Sequence, residues 1–308
     1  MAAQAGDLTV GFIGLGNMGT PMSRNLRAAG YPLILHDADH ARAAAFAQEH
    51  GGTVAGAPAD FAPASVVVTM LPDGRSVAEA ILEWEGGVAA ALAPGAVVVD
   101  MSSSSPLDTR ALGPRLAERG IALVDAPVSG GVAGAQAGTL TIMVGSDEEA
   151  MIDRVEPVLE VLGARIVRTG PLGSGHAMKA LNNFCGAAAY AAAAEALAIG
   201  QRFGLSGDVM LEVINSSTGR SFSSETVLKN EVLPGRYASG FSLALLAKDV
   251  GIAGGLAEAS GLETPLCALV SERFAQSRDA LEPGADHSEA HTAWWDVVLS
   301  REAGEAVS

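Results

Sequence analysis

A chain of 308 residues, 49% of them hydrophobic, is long enough for one large or two ordinary domains with substantial cores. A net charge of -16 excludes the general basic surface that holds nucleic acid, while leaving room for a small anion bound by local lysines and backbone N–H groups. Two cysteines, Cys185 and Cys267, are too few for a disulfide framework or a zinc site; with no export signal in residues 1–7 they predict a cytoplasmic protein.

In chain order, an apolar run at 8–13 reads as a strand, 14–19 as a glycine turn and 17–29 as a helix. Further strands are expected at 33–36, 65–70, 96–100, 122–125, 139–145 and 165–169, with helices at 41–50, 76–82, 107–119 and 148–162 between them. This alternation predicts an α/β unit with a mostly parallel, doubly wound sheet of the Rossmann type. The strand at 139–145 follows a glycine-rich loop with no clear helix, so the late strands admit antiparallel pairing.

After Gly170 the strand signals stop. Helices are expected at 174–203, 207–216, 221–232, 243–260, 265–280 and 288–299, separated by breakers such as Gly204, Gly261 and Pro265. The division is therefore a dinucleotide-binding domain at 1–172 and an all-helical domain at 173–308, with 173–203 as the connecting helix. The apolar stretch 184–200 is mostly alanine and contains Glu195, so a buried helix is expected and not a membrane span. The end, 303–308, is expected to fray.

The loop Gly14, Leu15, Gly16, Asn17, Met18 and Gly19 carries the dinucleotide fingerprint. Its first glycine turns the chain, the second admits the pyrophosphate, and the third lets the helix pack closely. Asp37 lies 18 residues beyond Gly19 at the end of the second strand. A carboxylate there accepts hydrogen bonds from the adenosine ribose and repels a 2′-phosphate, which predicts NAD over NADP. Arg42, a little over one helical turn on, is read as a solvated surface residue able to soften that preference.

Three more loops follow strand ends, at 71–73, 100–106 and 125–131, where ligands of doubly wound sheets collect. At the junction, Lys179 and Asn183 lie one helical turn apart on the same face. His176, three residues before the lysine, competes with it as an acid–base group.

Taken in order, the glycine loop, Asp125-Ala-Pro-Val-Ser-Gly-Gly131 with 134–139, the run 170–183, and 241–249 with Lys248-Asp249 resemble the β-hydroxyacid dehydrogenase family over about 8–299. That family includes 3-hydroxyisobutyrate dehydrogenases and tartronate semialdehyde reductases. The resemblance implies that Lys179 is the catalytic lysine and that Asn183 helps hold the substrate. It implies that Ser129, Gly130 and Gly131 grip the substrate carboxylate and that Lys248 reaches back toward the nicotinamide side. Leu71, Pro72, Ser76 and Ser103 match cofactor contacts. Where relatives often carry Ser-Thr, this chain has Ser102-Ser103, which keeps the hydroxyl. A homodimer or homotetramer is implied, and a small hydroxy acid as substrate.

The expected activity is reversible oxidation of a short β-hydroxy acid by NAD, with NADP as the lesser alternative. The rivals are an imine reductase, whose relatives usually replace the lysine, a semialdehyde reductase of the same fold, and a non-catalytic dinucleotide-fold module. His287 and His291, four apart, read as a solvated helix start, not a metal site, and Cys185 as a small packed residue. Trp294 and Trp295 are expected to cover the helical core or a subunit contact. Phe184, Arg220, Phe222 and Phe241 are candidates for the far wall of the pocket.

Overall fold

Val66, Val67, Val68, Val97, Val98 and Val99 are all fully buried, the pattern of parallel strands covered on both faces. Burial of each such side chain is worth about 1.5–3 kcal/mol. The computed structural model describes residues 8–295 and 298–303, and the chain divides into two units, Met1–Lys179 and Ala180–Ser308.

The first unit begins β1 (Val10–Ile13), α1 (Gly19–Ala28), β2 (Leu33–His36), α2 (His40–His50) and β3 (Thr53–Val54). It continues β4 (Val66–Thr69), α3 (Gly74–Ala78), β5 (Val97–Asp100), α4 (Pro106–Ala117), β6 (Ala122–Asp125) and β7 (Val128–Ser129). Then come α5 (Gly131–Ala137), β8 (Leu140–Gly145), α6 (Glu149–Leu162), β9 (Gly163–Gly170) and the start of α7 (Ser174–Arg202). The strand order is β3-β2-β1-β4-β5-β6-β8-β7, with β9 beside β8.

Strands β1 to β6 are parallel, and β8 runs antiparallel to β6 and β7, as the glycine-rich loop had suggested. Alternation along the strands builds two cores. Val10, Phe12, Val66, Val68, Val97 and Val99 pack with Met22, Leu26, Val155 and Leu159, while Ile13, Val67 and Val98 pack with Phe61, Leu112 and Leu116.

The second unit holds the rest of α7, α8 (Gly207–Asn215), a π-wound helix (Ser223–Val232), α9 (Leu243–Ser260), α10 (Pro265–Ala280) and a 3-10 segment (His287–Ala293). Its core joins Tyr190, Ala194 and Leu197 of α7 to Leu246 and Val250 of α9 and to Val270 and Phe274 of α10. Helix α9 stops at Gly261, which is left-handed at φ 69°, and α10 starts on Pro265. Among the described residues no helix is long and apolar enough to cross a membrane.

Four local expectations change. The glycine-rich loop contains α5, a short helix mostly of Gly and Ala with no apolar periodicity to announce it. Strand β3, only two residues long, carries no pattern. The helix expected at 76–82 is α3 followed by a π-wound turn, Glu79–Glu83. The helix expected at 288–299 is the 3-10 segment ending at Ala293; positions 296–297, like 1–7 and 304–308, lie outside the described residues.

Candidate active site

The parallel register aligns the C-terminal ends of five strands: Ile13 pairs with His36 and with Thr69, Thr69 with Asp100, and Asp100 with Asp125. The strand order reverses between β1 and β4, so the crevice of a doubly wound sheet opens beside the glycine loop.

Gly14 adopts φ 98°, and a Cβ there would meet the carbonyl of Met70. A Cβ on Gly19 would collide with the carbonyl of Gly14, so close packing of α1 under the turn excludes any side chain. Gly16 has nothing within 4 Å of the same position. No side chain caps α1, so the positive end of its dipole faces the glycine turn, where the Thr20 N–H already donates to the Gly16 carbonyl and Pro21 carries no N–H. This open cradle over an uncapped helix end fits a dinucleotide pyrophosphate.

Asp37 is buried, and its Oδ2 accepts the Leu15 N–H at 2.6 Å while Oδ1 accepts the Asp39 N–H at 2.8 Å. Arg42 is not simply solvated: its Nη1 lies 3.0 Å from Asp37 Oδ1, because α2 starts immediately after β2 and brings the guanidinium back over the carboxylate. The Leu71 N–H donates to Ser102 Oγ at 2.9 Å, tying two of the strand-end loops together. Asp73 caps α3 through the Ser76 N–H and also accepts the Ser76 hydroxyl, both at 2.8 Å. Pro72 is exposed, and Ser103 and Ser129 are half-buried.

Two buried carboxylates close β5 and β6. Asp100 accepts the Thr69 hydroxyl at 2.9 Å, the Ser102 N–H at 3.0 Å and the Ser104 hydroxyl at 2.7 Å. Asp125 accepts the Gly173 N–H at 2.7 Å and the His176 N–H at 2.8 Å, so it caps the helix that carries Lys179. Burial pushes the Asp125 carboxyl above its ordinary pKa, opposed by His176 and the two N–H donors. The His176 ring is buried behind the serine loop, with Nε2 3.1 Å from the Ser102 carbonyl and Nδ1 2.8 Å from Thr109 Oγ1. It is enclosed, and Lys179 is the half-buried member of the pair.

Beyond β7 the chain turns through Gly130, at φ 129°, and Gly131, at φ 60°. In the helical unit Asn183 Nδ2 donates to Asp249 Oδ2 at 2.6 Å, and Lys248 Nζ lies 3.2 Å from Asp249 Oδ1. Asp249 is 3% exposed, so one buried carboxylate joins two residues 65 positions apart in the chain. Reading from sequence placed Asn183 and Lys248 but not their shared partner, nor the roles of Asp100, Asp125 and Thr109. The available signal was a carboxylate at the end of each apolar strand.

Other expectations fare differently. Phe184, Phe241, Trp294 and Trp295 pack partly against the helical core, whereas Phe222 is exposed and Arg220 pairs loosely with Glu225 at 3.7 Å. Cys185 is exposed, because its position on α7 faces away from that core. His287 and His291 are not a solvated start: His287 Nδ1 is 2.9 Å from Ser239 Oγ, and His291 is fully buried with Nδ1 2.8 Å from the Tyr190 hydroxyl. The core of the helical unit closes over them. Among the described residues no group of three His, Cys, Asp or Glu is placed to hold a metal.

Residues 9–170 match the NAD-binding domain of 6-phosphogluconate dehydrogenase, and 173–294 match the NAD-binding domain of NADP-dependent 3-hydroxyisobutyrate dehydrogenase. The chain is 37% identical over 291 residues to 2-(hydroxymethyl)glutarate dehydrogenase of Eubacterium barkeri, covering 94% of this chain and 96% of that one. It is 38% identical to the NAD-dependent L-serine dehydrogenase of Pseudomonas aeruginosa, over 84% and 89% of the two chains. Among solved structures, the 3-hydroxyisobutyrate dehydrogenase of Mycobacterium tuberculosis with L-serine superposes with a TM-score of 0.85 at 36% identity, covering 92% of this chain and 98% of that one. With an NAD-binding domain at its N-terminus and relatives matched over nearly their full length, the chain belongs to the β-hydroxyacid dehydrogenase family.

Proposed function

We propose that this protein uses NAD to oxidise a short β-hydroxy acid, a carboxylic acid bearing an α-hydroxymethyl group, with Lys179 as the acid–base group. The observation that carries the reading is the placement of Lys179 on the helix capped by Asp125, one turn before Asn183. The names of the relatives narrow the substrate class: 3-hydroxyisobutyrate, serine and 2-(hydroxymethyl)glutarate all place a primary alcohol on the carbon next to a carboxylate-bearing carbon.

The residue roles follow from that chemistry. Ser129 and the Gly130 and Gly131 backbone hold the carboxylate, with Asn183 and Lys248 assisting. Bound NAD supplies the hydride acceptor. A neutral Lys179 amine takes the hydroxyl proton as hydride leaves the carbon, and its ammonium returns that proton in the reverse direction. The free amine has an ordinary pKa of about 10.4, so a local environment that favours the neutral form is part of the proposal. Gly14, Leu15, Gly16, Asn17, Met18 and Gly19 cradle the pyrophosphate, Asp37 faces the adenosine ribose and selects NAD, and Leu71, Pro72, Ser76, Ser103 and Lys248 complete the cofactor contacts.

The test is NADH formation with a panel that includes 3-hydroxyisobutyrate, serine and 2-(hydroxymethyl)glutarate, repeated with Lys179→Ala. We expect turnover of at least one member, and a fall in kcat of about 10²- to 10⁴-fold in the variant with NAD binding retained. Near-unchanged turnover in Lys179→Ala sinks the assignment. Self-association is part of the same reading. Ile199 of α7 and Phe203 just beyond its end, with Val209 and Val213 of α8, are 71%, 80%, 55% and 58% exposed, which suits a homodimer or homotetramer. Light scattering of the wild type and Phe203→Asp checks it.

A further inference from the structure

His36 and Asp37 end β2 and face different ways. Asp37 turns to the glycine loop, where it accepts the Leu15 N–H. His36, whose carbonyl accepts the Gly14 N–H at 2.9 Å, lies two residues beyond Ile34 and so on the α3 side of the sheet. Trp84 stacks on its ring with centroids 3.9 Å apart and planes 25° from parallel, and His40 meets it edge-on at 5.6 Å. His36 Nδ1 is shut off from solvent with no hydrogen-bond partner, so ring faces and edges hold the imidazole in place.

Backbone geometry brings the indole there. After α3 the chain winds as a π turn over Glu79–Glu83, and Glu85, Gly86 and Gly87 then take φ of 42°, 95° and 87°. Glu85 is in the left-handed region, which is costly for a residue with a side chain. A Cβ on Gly87 would lie 2.6 Å from the Ile81 carbonyl, so the chain folds back on the π turn as glycine alone allows. Trp84 is half-buried and, with Leu71, Ala80 and Leu82, forms the partly exposed apolar rim of the core on this face of the sheet. Leu71 of that rim is already among the proposed cofactor contacts.

We propose that the indole of Trp84, braced by His36, is the stacking platform for the adenine ring of NAD and a specificity-determining residue of the cofactor site. A dinucleotide with its pyrophosphate on the glycine loop and its adenosine ribose at Asp37 carries its base to the end of β2. Adenine offers two π faces and a polar edge, so it is held best against a flat aromatic surface. The half-buried indole supplies that surface one strand end away from the ribose carboxylate. Its location rests on the reading of Asp37 as the ribose residue, and on neither Lys179 nor any hydroxy acid.

Calorimetric titration of the full-length protein with ADP-ribose, which carries the adenosine and pyrophosphate of NAD but no nicotinamide, tests the platform. Trp84→Leu keeps apolar bulk and removes the flat ring. Its dissociation constant should rise roughly tenfold, whereas Trp84→Phe should stay within about threefold of the wild type. An indole that merely covers the core gives another result: lower melting temperatures with ADP-ribose affinity unchanged, or equal losses of affinity in both variants. Either one overturns the proposal.

Tryptophan emission gives a second readout. ADP-ribose should quench the wild type, and most of that quench should vanish in Trp84→Phe although the ligand still binds; an undiminished quench in Trp84→Phe overturns the platform. If Trp84→Leu does not fold, the phenylalanine variant decides by its emission. Asp37→Ala separates the two readings. Weaker ADP-ribose binding in Asp37→Ala, with none of that loss in Trp84→Leu, leaves the ribose assignment standing and removes the platform. The converse pattern keeps the platform and removes the ribose assignment.

Discussion

Arg42 Nη1 sits 3.0 Å from Asp37 Oδ1, while Asp37 Oδ2 accepts the Leu15 N–H of the glycine loop at 2.6 Å. A residue that sequence reading left in solvent is therefore held by the carboxylate proposed to choose the cofactor. Asp37→Ser keeps a short polar side chain near Leu15 and frees the guanidinium beside the ribose position. The ratio of kcat/KM for NADP to that for NAD should rise roughly tenfold or more in Asp37→Ser and fall back in Asp37→Ser with Arg42→Ala. Initial rates with both cofactors check this; an unchanged ratio removes Arg42 from the account.

The glycine loop separates folding from binding. Because a Cβ at Gly16 has nothing within 4 Å, Gly16→Ala should melt within about 2 °C of the wild type yet bind NAD roughly tenfold more weakly. Gly19→Ala, whose Cβ would strike the Gly14 carbonyl, should lose both stability and NAD binding. Thermal melts and calorimetric titration with NAD distinguish the two.

Asp249 holds Asn183 and Lys248 together in the helical unit. Removing it takes away the acceptor of Asn183 Nδ2 and the carboxylate 3.2 Å from Lys248 Nζ, at a cost of about 1–3 kcal/mol. Asp249→Ala should raise KM for the hydroxy acid about tenfold or more and change kcat less, because the residues released are the proposed substrate-holding ones. Equal losses in kcat with an unaltered KM would assign the pair to a different step.

His291 supplies a pH dependence of stability. Burial pushes its pKa down from 6.5 to about 4, so the unfolded chain takes up a proton that the folded protein refuses. Stability from this group is present at neutral pH and is lost as pH falls from about 6.5 through 4, by about 3 kcal/mol in all. His287 is lowered from its ordinary pKa in the same direction, by burial, and so contributes with the same sign. Urea midpoints should therefore drop between pH 7 and 5, and His291→Gln should flatten that slope; a parallel slope in the variant excludes His291 as its source.

Much of the architecture was legible because it is set by neighbours in the chain. The valine runs of β4 and β5 announce buried parallel strands, and the limits of α9 and α10 are written in the left-handed Gly261 and in Pro265 at a first helical position. Elements without such local signals were missed: α5 is made mostly of Gly and Ala, β3 is two residues long, and π-winding at Ser223–Val232 has no sequence period of its own. His287 and His291 were misread because a polar spacing looks the same on a solvated helix and beneath an aromatic core.

The candidate site divides along the same line. The glycine loop, Asp37 and the Lys179 to Asn183 spacing are motifs within a few tens of residues, and their geometry follows from a turn or a helical repeat; these the amino-acid sequence determined by itself. Which carboxylate caps the Lys179 helix, which aspartate joins Asn183 to Lys248, and which side of α7 receives His176 were decided only by tertiary structure. Those pairings span 48 residues for Asp125 and Gly173, 66 for Asn183 and Asp249, and 67 for Thr109 and His176. A hydrogen bond needs its atoms within about 3 Å, and no local pattern specifies that once the partners lie on different strands and helices.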